Sequence, residues 1–200
     1  MLIIKSKYRI ARRLGAGVFD QTQTQKYALR AAQRAPKRGR GPSDFGKQLL
    51  EKQRVRFTYG ITEKQLANYV ERANDTKDPS AALHRMLEMR ADTTLYRAGV
   101  APTRRAARQA VAHGHILING KRTTSPSYAL KKGDVLTIRE GSRTSPLFAG
   151  LADKNADGRS IPQWVEVDLG ALKVTVNGAP TYNPAETGLD YATVFEFYSR

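Results

Sequence analysis

Apolar residues recur every three to four positions along residues 43–88, which predicts three consecutive helices. Ser43 is the expected N-cap of the first helix, and Gly60 its end. Thr62 and Gln65 form a capping box that opens the second helix, and the dipeptide Asp78-Pro79 opens the third. The positions expected to point inward are Leu49, Leu50, Leu66, Tyr69, Val70, Ala73, Leu83, Met86 and Leu87. We expect the second and third helices to pack together as a scaffold.

From residue 89 the pattern predicts two shorter helices. Asp92 is the expected cap of the first, which ends at Gly99. Thr103 is the expected cap of the second, which ends at Gly114. The buried face of the second helix is assigned to Ala107, Ala110 and Val111.

Short strands follow these helices. Ile116–Ile118 is an apolar run typical of a buried strand, and Asn119-Gly120 is typical of a type I′ hairpin turn. The sequence Lys131–Asp134 predicts a further turn, which leads into a strand at Val135–Ile138. The two helices are therefore expected to pack on a small antiparallel sheet.

The two ends of the chain have weaker patterns. Residues 1–42 show little periodicity, and glycine and proline alternate with arginine and lysine near residues 34–42. We predict an extended basic segment that becomes ordered on its partner, with a disordered solvated loop as the alternative. Near the other end, Trp164, Val165, Val167 and Leu169 alternate like a strand, and Asn177-Gly178 predicts a second turn.

Positive charge is concentrated toward the N-terminus of this 200-residue chain. Residues 1–60 carry 15 basic and 3 acidic groups, residues 61–150 carry 15 and 8, and residues 151–200 carry 4 and 7. A formal net charge of +16 favours a polyanionic partner, above all a nucleic acid.

Several other classes of protein fit the sequence poorly. The chain has no cysteine, which excludes disulfides and thiolate zinc sites. The sequence contains neither an apolar run long enough to span a bilayer nor a lipidation motif, and its first residues do not resemble a signal peptide. We expect a cytoplasmic protein with no membrane partner and no cofactor.

A compact set of basic side chains lies on the helix that Thr103 opens. Arg104 and Arg108 are four residues apart and are expected to share an exposed face, as are Arg105 and Gln109. No acidic residue occurs between positions 92 and 134 to neutralise these arginines. The pattern predicts phosphate contacts, and a solvated charged face is the alternative.

His113 and His115 raise the question of a metal or acid-base site. They flank the helix-ending Gly114, where their side chains are expected to diverge, and no carboxylate or thiol lies close by in sequence. We therefore predict no metal site. This stretch is interpreted as a structural corner that presents Lys121 and Arg122.

Residues 90–140, with DTTLYRAG, TRRAARQAVAHGHILINGKR, PSYALKKGD and VLTIRE, closely resemble the RNA-binding module named after ribosomal small-subunit protein S four. The neighbouring SDFGKQLLEKQRVRFTYGITEKQLANYVERA and the ending VFEFYSR are similar to the helical region and the C-terminus of that ribosomal protein family. Together with the patterns above, the resemblance implies an α+β fold. Its expected parts are a basic extended N-terminal arm (1–42), a helical domain (43–88), the RNA-binding module (89–150) and a β-containing segment that packs back on the helical domain (151–200).

The resemblance implies a structural, non-enzymatic protein that binds small-subunit ribosomal RNA at a multi-helix junction of the 5′ domain and nucleates assembly of the subunit body. It also implies a place beside ribosomal proteins S three and S five, near the channel through which messenger RNA enters, and a contribution to translational accuracy. Carried onto this chain, the RNA-facing positions are Lys47, Gln53, Arg54, Arg56, Tyr59, Thr103, Arg104, Arg108, Gln109, His113, His115 and Lys121. Asp92, Gly99, Gly114, Gly120 and Gly133 are assigned architectural roles. Arg105 joins the RNA-facing set through its helix, and Arg38 and Arg40 through their charge alone.

Two other functions use the same module. An RNA-modifying enzyme would need a catalytic or nucleotide-binding domain, and the sequence contains neither a P-loop nor a glycine-rich dinucleotide loop. An RNA chaperone or ribosome-rescue factor would associate with ribosomes substoichiometrically and under stress, unlike a constitutive subunit protein.

Overall fold

The structure is a computed structural model that describes residues 4, 6–33, 41, 43–148, 161–168 and 170–199. In chain order the helices are α1 (Lys7–Leu14), α2 (Gln25–Ala32), α3 (Asp44–Tyr59), α4 (Glu63–Asn74), α5 (Pro79–Glu88), α6 (Ala91–Arg97), α7 (Arg104–Ala112), α8 (Pro184–Thr187) and α9 (Tyr191–Tyr198). The strands are β1 (Ile116–Ile118), β2 (Lys121–Arg122), β3 (Val135–Ile138), β4 (Val165–Asp168) and β5 (Lys173–Val176). This combination confirms the predicted α+β class.

Contacts divide the chain into two compact units. The helical unit is drawn from Met1–Leu83 and Tyr182–Arg200, and the mixed unit from His84–Thr181. The predicted segment 151–200 is therefore shared: β4 and β5 belong to the mixed unit, whereas α8 and α9 belong to the helical unit.

The helix boundaries in the helical unit follow the capping signals in the sequence. The Ser43 hydroxyl accepts a hydrogen bond from the Gly46 N–H at 3.2 Å, and Gly60 ends α3 with a left-handed φ of 62°. The capping box predicted at Thr62 and Gln65 is confirmed, with both reciprocal hydrogen bonds present.

The packing of α3 differs from the prediction. Leu49 and Leu50 are only half-buried, whereas the charged residues Glu51 and Lys52 are buried. The Glu51 carboxylate accepts a hydrogen bond from the Asp190 N–H at 3.1 Å, just before α9. Because the C-terminal helix supplies polar partners, the buried face of α3 is more polar than its leucine pair suggests.

The prediction that residues 1–42 are extended is wrong for most of those that the structure describes. Residues 7–14 and 25–32 are helical, and Ala11, Leu14 and Val18 are 1%, 4% and 6% exposed. Arg54 of α3 donates to the Leu14 carbonyl at 2.8 Å. The glycines and prolines that suggested an extended segment lie in residues 34–42, of which only Gly41 is described. Their effect on the backbone is local, so they do not prevent helices in the residues before them.

The mixed unit is built on a five-stranded antiparallel sheet with the order β2-β1-β3-β5-β4. Ile116 and Ile118 of β1 align with Ile138 and Leu136 of β3. These four side chains are buried in a core that also includes Ala107, Ala110 and Val111 of α7. The predicted packing of two helices on a small sheet is confirmed.

The second hairpin uses a different turn from the predicted one. Val165 of β4 aligns with Val176 of β5 and Asp168 with Lys173, so the chain reverses between Asp168 and Lys173, where Leu172 has a φ of 51°. Asn177 and Gly178 follow the strand instead, and their N–H groups bond to the Trp164 carbonyl at 2.9 and 3.3 Å. These two hydrogen bonds fix the chain where it leaves β5.

Candidate nucleic-acid interface

Helix α7 presents two faces with different chemistry. Thr103 caps it by accepting a hydrogen bond from the Ala106 N–H at 3.1 Å, as predicted. Arg104 and Arg108, expected to form an exposed basic stripe, are instead each only 17% exposed and turned toward acidic side chains. The prediction of an exposed face for this pair is wrong, because the neutralising carboxylates precede the acid-free stretch in the sequence.

One carboxylate, Asp92, organises two arginines. It is 2% exposed, and Arg90 donates to both of its oxygens at 2.9 Å while Arg108 donates to Oδ2 at 2.7 Å. The predicted capping role of Asp92 is wrong. The N–H groups of Ala91 and Asp92 bond to the carbonyls of Tyr128 and Pro126, so α6 begins without a side-chain cap.

A second buried carboxylate, Glu88, serves the neighbouring arginines. Arg97 donates to its two oxygens at 2.7 and 2.9 Å, and Arg104 lies 3.5 Å from Oε1. His84 is 4% exposed in the same region. Burial lowers the pKa of His84, and the charges of Arg97 and Arg104 lower it further, although the charge of Glu88 opposes them.

The face of α7 next to Arg104 and Arg108 carries the exposed groups. Arg105, Gln109 and His113 follow one another at four-residue spacing and are all exposed. Arg122 donates to the His113 carbonyl at 3.4 Å, which brings the β1–β2 hairpin to the end of this row. We call Arg105, Gln109, His113, Lys121 and Arg122 the α7 edge.

The hairpin itself has the predicted type I′ turn. Asn119 and Gly120 have φ values of 51° and 77°, and Ile118 aligns with Lys121 across the turn. The Asn119 side chain also donates to Asp134 and accepts from the Val135 N–H, both at 2.9 Å. These bonds fix the hairpin, and with it the exposed Lys121 and Arg122.

His113 and His115 are closer than predicted. Their ring centroids are 5.9 Å apart, because the positive φ of Gly114, 72°, turns the chain back on itself. His115 Nδ1 lies 2.9 Å from the Ser142 hydroxyl, and its ring meets Phe148 edge-on. The predicted divergence of the two side chains is therefore wrong.

The RNA-facing residues predicted in the helical unit are mostly engaged within the protein. Arg54 pairs with Glu51 at 2.6 Å, and Arg56 with Glu63 at 3.3 Å. Tyr59 is 2% exposed, and its hydroxyl lies 3.1 Å from that of Tyr191. Its ring has no open face on which a base could stack, so the structure contradicts an RNA-facing role for Tyr59.

Of the two other predicted residues of this unit, Lys47 is exposed and Gln53 is half-buried. The Lys47 side chain is 64% exposed and pairs with Asp44 at 3.0 Å. Gln53 accepts a hydrogen bond from Arg56 at 3.1 Å. Arg38 and Arg40 lie outside the described residues.

Arg122 is the functional candidate that the sequence prediction omitted from its RNA-facing set. Asn-Gly turns place the next two residues at the start of the returning strand, which is the signal that would have identified it. Within the described part of the chain, no ion pair with a carboxylate is formed by Arg105, Lys121 or Arg122.

Searches of the described residues for two other kinds of site were negative. No group of three or more histidine, aspartate or glutamate side chains is placed to hold a metal ion there. No helix in the described ranges combines the length and the apolar character needed to cross a membrane.

Two family models match consecutive parts of the chain. The ribosomal protein S4/S9 N-terminal domain matches residues 3–89, and the S4 domain matches residues 89–136. The small ribosomal subunit protein uS4 of Lachnospira eligens is 40% identical over 172 residues, covering 86% of this chain and 87% of that protein. The uS4 protein of Roseiflexus sp. (strain RS-1) is 39% identical over 197 residues and covers 96% of both chains. The uS4 protein of Borrelia duttonii is 35% identical over 203 residues, covering 98% of this chain and 96% of that protein. Since the two models meet at residue 89 in the order of the fold, and the relatives match over most of their own length, this chain belongs to the ribosomal protein S4 family.

Proposed function

We propose that this protein is a structural component of the small ribosomal subunit that binds small-subunit ribosomal RNA through the α7 edge. The observation that carries the proposal is that some cations of the mixed unit are paired with carboxylates and others are not. The arginines on one side of α7 are neutralised by Glu88 and Asp92, whereas those of the α7 edge have no carboxylate partner among the described residues. Unneutralised cations fixed on a rigid turn and helix release counterions when they meet phosphate.

The neutral members of the α7 edge suit folded RNA. Gln109 can donate to and accept from base edges or ribose hydroxyls, and the His113 ring can stack or donate. Such groups on a rigid surface read the shape of an RNA more than its sequence. Family membership and the names of the uS4 relatives support small-subunit ribosomal RNA as the partner.

The finer part of the proposal follows the resemblance seen in the sequence. The RNA site is a multi-helix junction of the 5′ domain, and binding there nucleates assembly of the subunit body. The protein neighbours are S three and S five, close to the channel through which messenger RNA enters, where the protein contributes to translational accuracy in the cytoplasmic ribosome. The role is structural and involves no catalysis.

The test is an affinity measurement across a salt series, with 5′-domain ribosomal RNA compared with an unrelated folded RNA. The variant Arg105→Ala with Lys121→Ala removes two exposed cations that have no ion-pair partner within the described residues. We expect the slope of log affinity against log salt to become shallower by about two charges, with an unchanged unfolding transition. A matched control is Lys131→Ala with Lys132→Ala, two exposed lysines at a different turn, which should keep the salt slope of the wild type for 5′-domain RNA.

Two results would count against the proposal. Equal affinity of the wild type for both RNAs at every salt concentration would indicate a nonspecific basic binder, in line with a chaperone. An unchanged salt slope in the Arg105 and Lys121 variant would remove the α7 edge from the interface.

A further inference from the structure

The pair of N-terminal helices, α1 and α2, presents an unusual surface. Tyr8 of α1 is 57% exposed, and its ring stacks on that of Tyr27 of α2 with centroids 6.1 Å apart and planes inclined by 27°. Large aromatic side chains are usually buried, because exposing them forfeits the free energy of burial. A stacked pair in which one tyrosine is exposed and the other half-buried indicates a surface that contacts a partner.

The cations around this pair differ from the arginines of α3. Helices α1 and α2 contain no acidic residue, and their basic side chains are Lys7, Arg9, Arg12, Arg13, Lys26 and Arg30. In the ranges described above, none of the six forms an ion pair. By contrast, Arg54 and Arg56 of α3 are both paired with glutamates.

Apart from the contact between Tyr27 and Tyr8, helix α2 buries little of its surface. It has eight residues, and none of them is buried. A helix shorter than about 12 residues is marginal in water without tertiary packing. A partner that covers α2 would therefore stabilise it, and the charge of the surface requires that partner to be anionic.

We infer that Tyr8 and Tyr27 form a platform on which an unpaired base of the bound RNA stacks, while the cations of α1 and α2 hold the flanking phosphates. Every base has an aromatic face, and stacking on exposed rings between cations is how single-stranded segments are commonly bound. This inference rests on the proposed function, and it names a chemical class of RNA element, a bulged or looped-out nucleotide, for a surface separate from the α7 edge.

The arrangement of side chains favours this partner over an acidic protein surface. Arg12 lies one helical turn after Tyr8 on the same side of α1, and its Nε donates to the Tyr8 carbonyl at 3.4 Å. Lys26 and Arg30 are likewise one turn apart on α2, and Lys26 directly precedes Tyr27 in the sequence. Cations on both helices suit the phosphates on either side of a base, and the exposed Tyr8 ring suits the base itself.

The test uses the full chain and a hairpin RNA with one bulged 2-aminopurine, compared with the same hairpin in which that base is paired. The variant Tyr8→Ala with Tyr27→Ala should bind the bulged hairpin roughly tenfold more weakly than the wild type, and the paired hairpin equally well. Because tyrosine is uncharged, the salt slope should stay the same. Quenching of 2-aminopurine fluorescence should occur with the wild type and be lost in this variant.

Two controls separate stacking from folding. The variant Tyr8→Phe with Tyr27→Phe keeps both rings and should retain affinity and quenching. Tyr128→Ala removes a tyrosine that is 42% exposed in the mixed unit, and it should bind like the wild type. A change of salt slope in the alanine variant would mean that the cations had moved with the helices, and this would overturn the inference.

Failure of the tyrosine platform can be distinguished from failure of the proposed function. If the wild type prefers 5′-domain RNA but the alanine variant binds the bulged hairpin normally, the platform is refuted and the function stands. If the platform responds as expected but the 5′-domain preference is absent, the function fails and the platform stands. If the variant binds every RNA normally but joins reconstituted subunits poorly, the surface contacts a protein and the inference is wrong.

Discussion

Replacing Asp92 with alanine should destabilise the mixed unit strongly, although Asp92 belongs to neither proposed RNA surface. Its carboxylate accepts three hydrogen bonds from Arg90 and Arg108, and the side chains of Asp92 and Arg90 are 2% and 3% exposed. After the substitution, the Arg90 guanidinium stays in the interior and loses the counterion that offsets its desolvation.

The size of the effect follows from this burial. Removing one partner of a buried ion pair costs about 3–5 kcal/mol, since the remaining charge is left uncompensated. Arg108→Ala is the matched comparison, because it leaves the two bonds between Arg90 and Asp92 intact. Arg108 is 17% exposed and approaches Asp92 Oδ2 at 2.7 Å with both Nε and Nη2, and its loss should cost about 1.5–3 kcal/mol, the typical range for a hydrogen bond to a charged group.

The measurements are urea unfolding, which gives the free energy of unfolding, and thermal unfolding, which gives Tm, for the two variants and the wild type, both followed by circular dichroism. For a chain of this size, a loss of 3–5 kcal/mol should lower Tm by about 10 °C. Asp92→Asn, which keeps the shape and one acceptor oxygen, should lie between the wild type and the alanine variant. Equal losses for Asp92→Ala and Arg108→Ala, or a loss below about 1 kcal/mol for Asp92→Ala, would refute the idea that this carboxylate holds the interior together.

Three further substitutions test other contacts. Tyr198→Phe removes the hydroxyl that donates to Glu63 at 2.7 Å, and urea unfolding should show a loss of about 1–2 kcal/mol. Burial lowers the pKa of His84 below its ordinary value of 6.5, so the unfolded chain binds the proton more readily. The free energy of unfolding should therefore fall as the pH drops below 6.5, and unfolding curves of His84→Gln should lack that component. Gly114→Ala should lower Tm and weaken RNA binding, because the left-handed φ of 72° costs a side chain about 1–2 kcal/mol and the new Cβ collides with Arg122.

Local signals in the sequence predicted local structure well. The cap at Thr103 needs only a hydroxyl and the N–H three residues later, and the Asn119-Gly120 turn needs only two residues that tolerate positive φ. Strand β3 lies at the predicted Val135–Ile138 because a turn and an apolar run are adjacent. In each case the interacting groups are neighbours along the chain.

Predictions that depended on distant partners were less successful. Arg108 appeared exposed in the sequence because its counterion, Asp92, lies 16 residues away, beyond any helical repeat. The family resemblance assigns Tyr59 to the RNA-facing set, yet it is buried and its hydroxyl meets that of Tyr191, 132 residues away. Tertiary packing thus determined which side of a helix was interior, and sequence periodicity alone could not show this.

The ion pairs also change how binding experiments on this protein should be interpreted. Six arginines are held by carboxylates within the described residues, namely Arg54, Arg56, Arg90, Arg97, Arg104 and Arg108. Alanine at one of them leaves a carboxylate with one counterion fewer, so RNA binding can fall because the fold weakens. Alanine at Arg105, which forms no ion pair in the part of the chain the structure describes, removes a charge without that cost. A loss of affinity without loss of Tm therefore identifies an RNA contact, whereas a parallel loss of both identifies a cation that serves the fold.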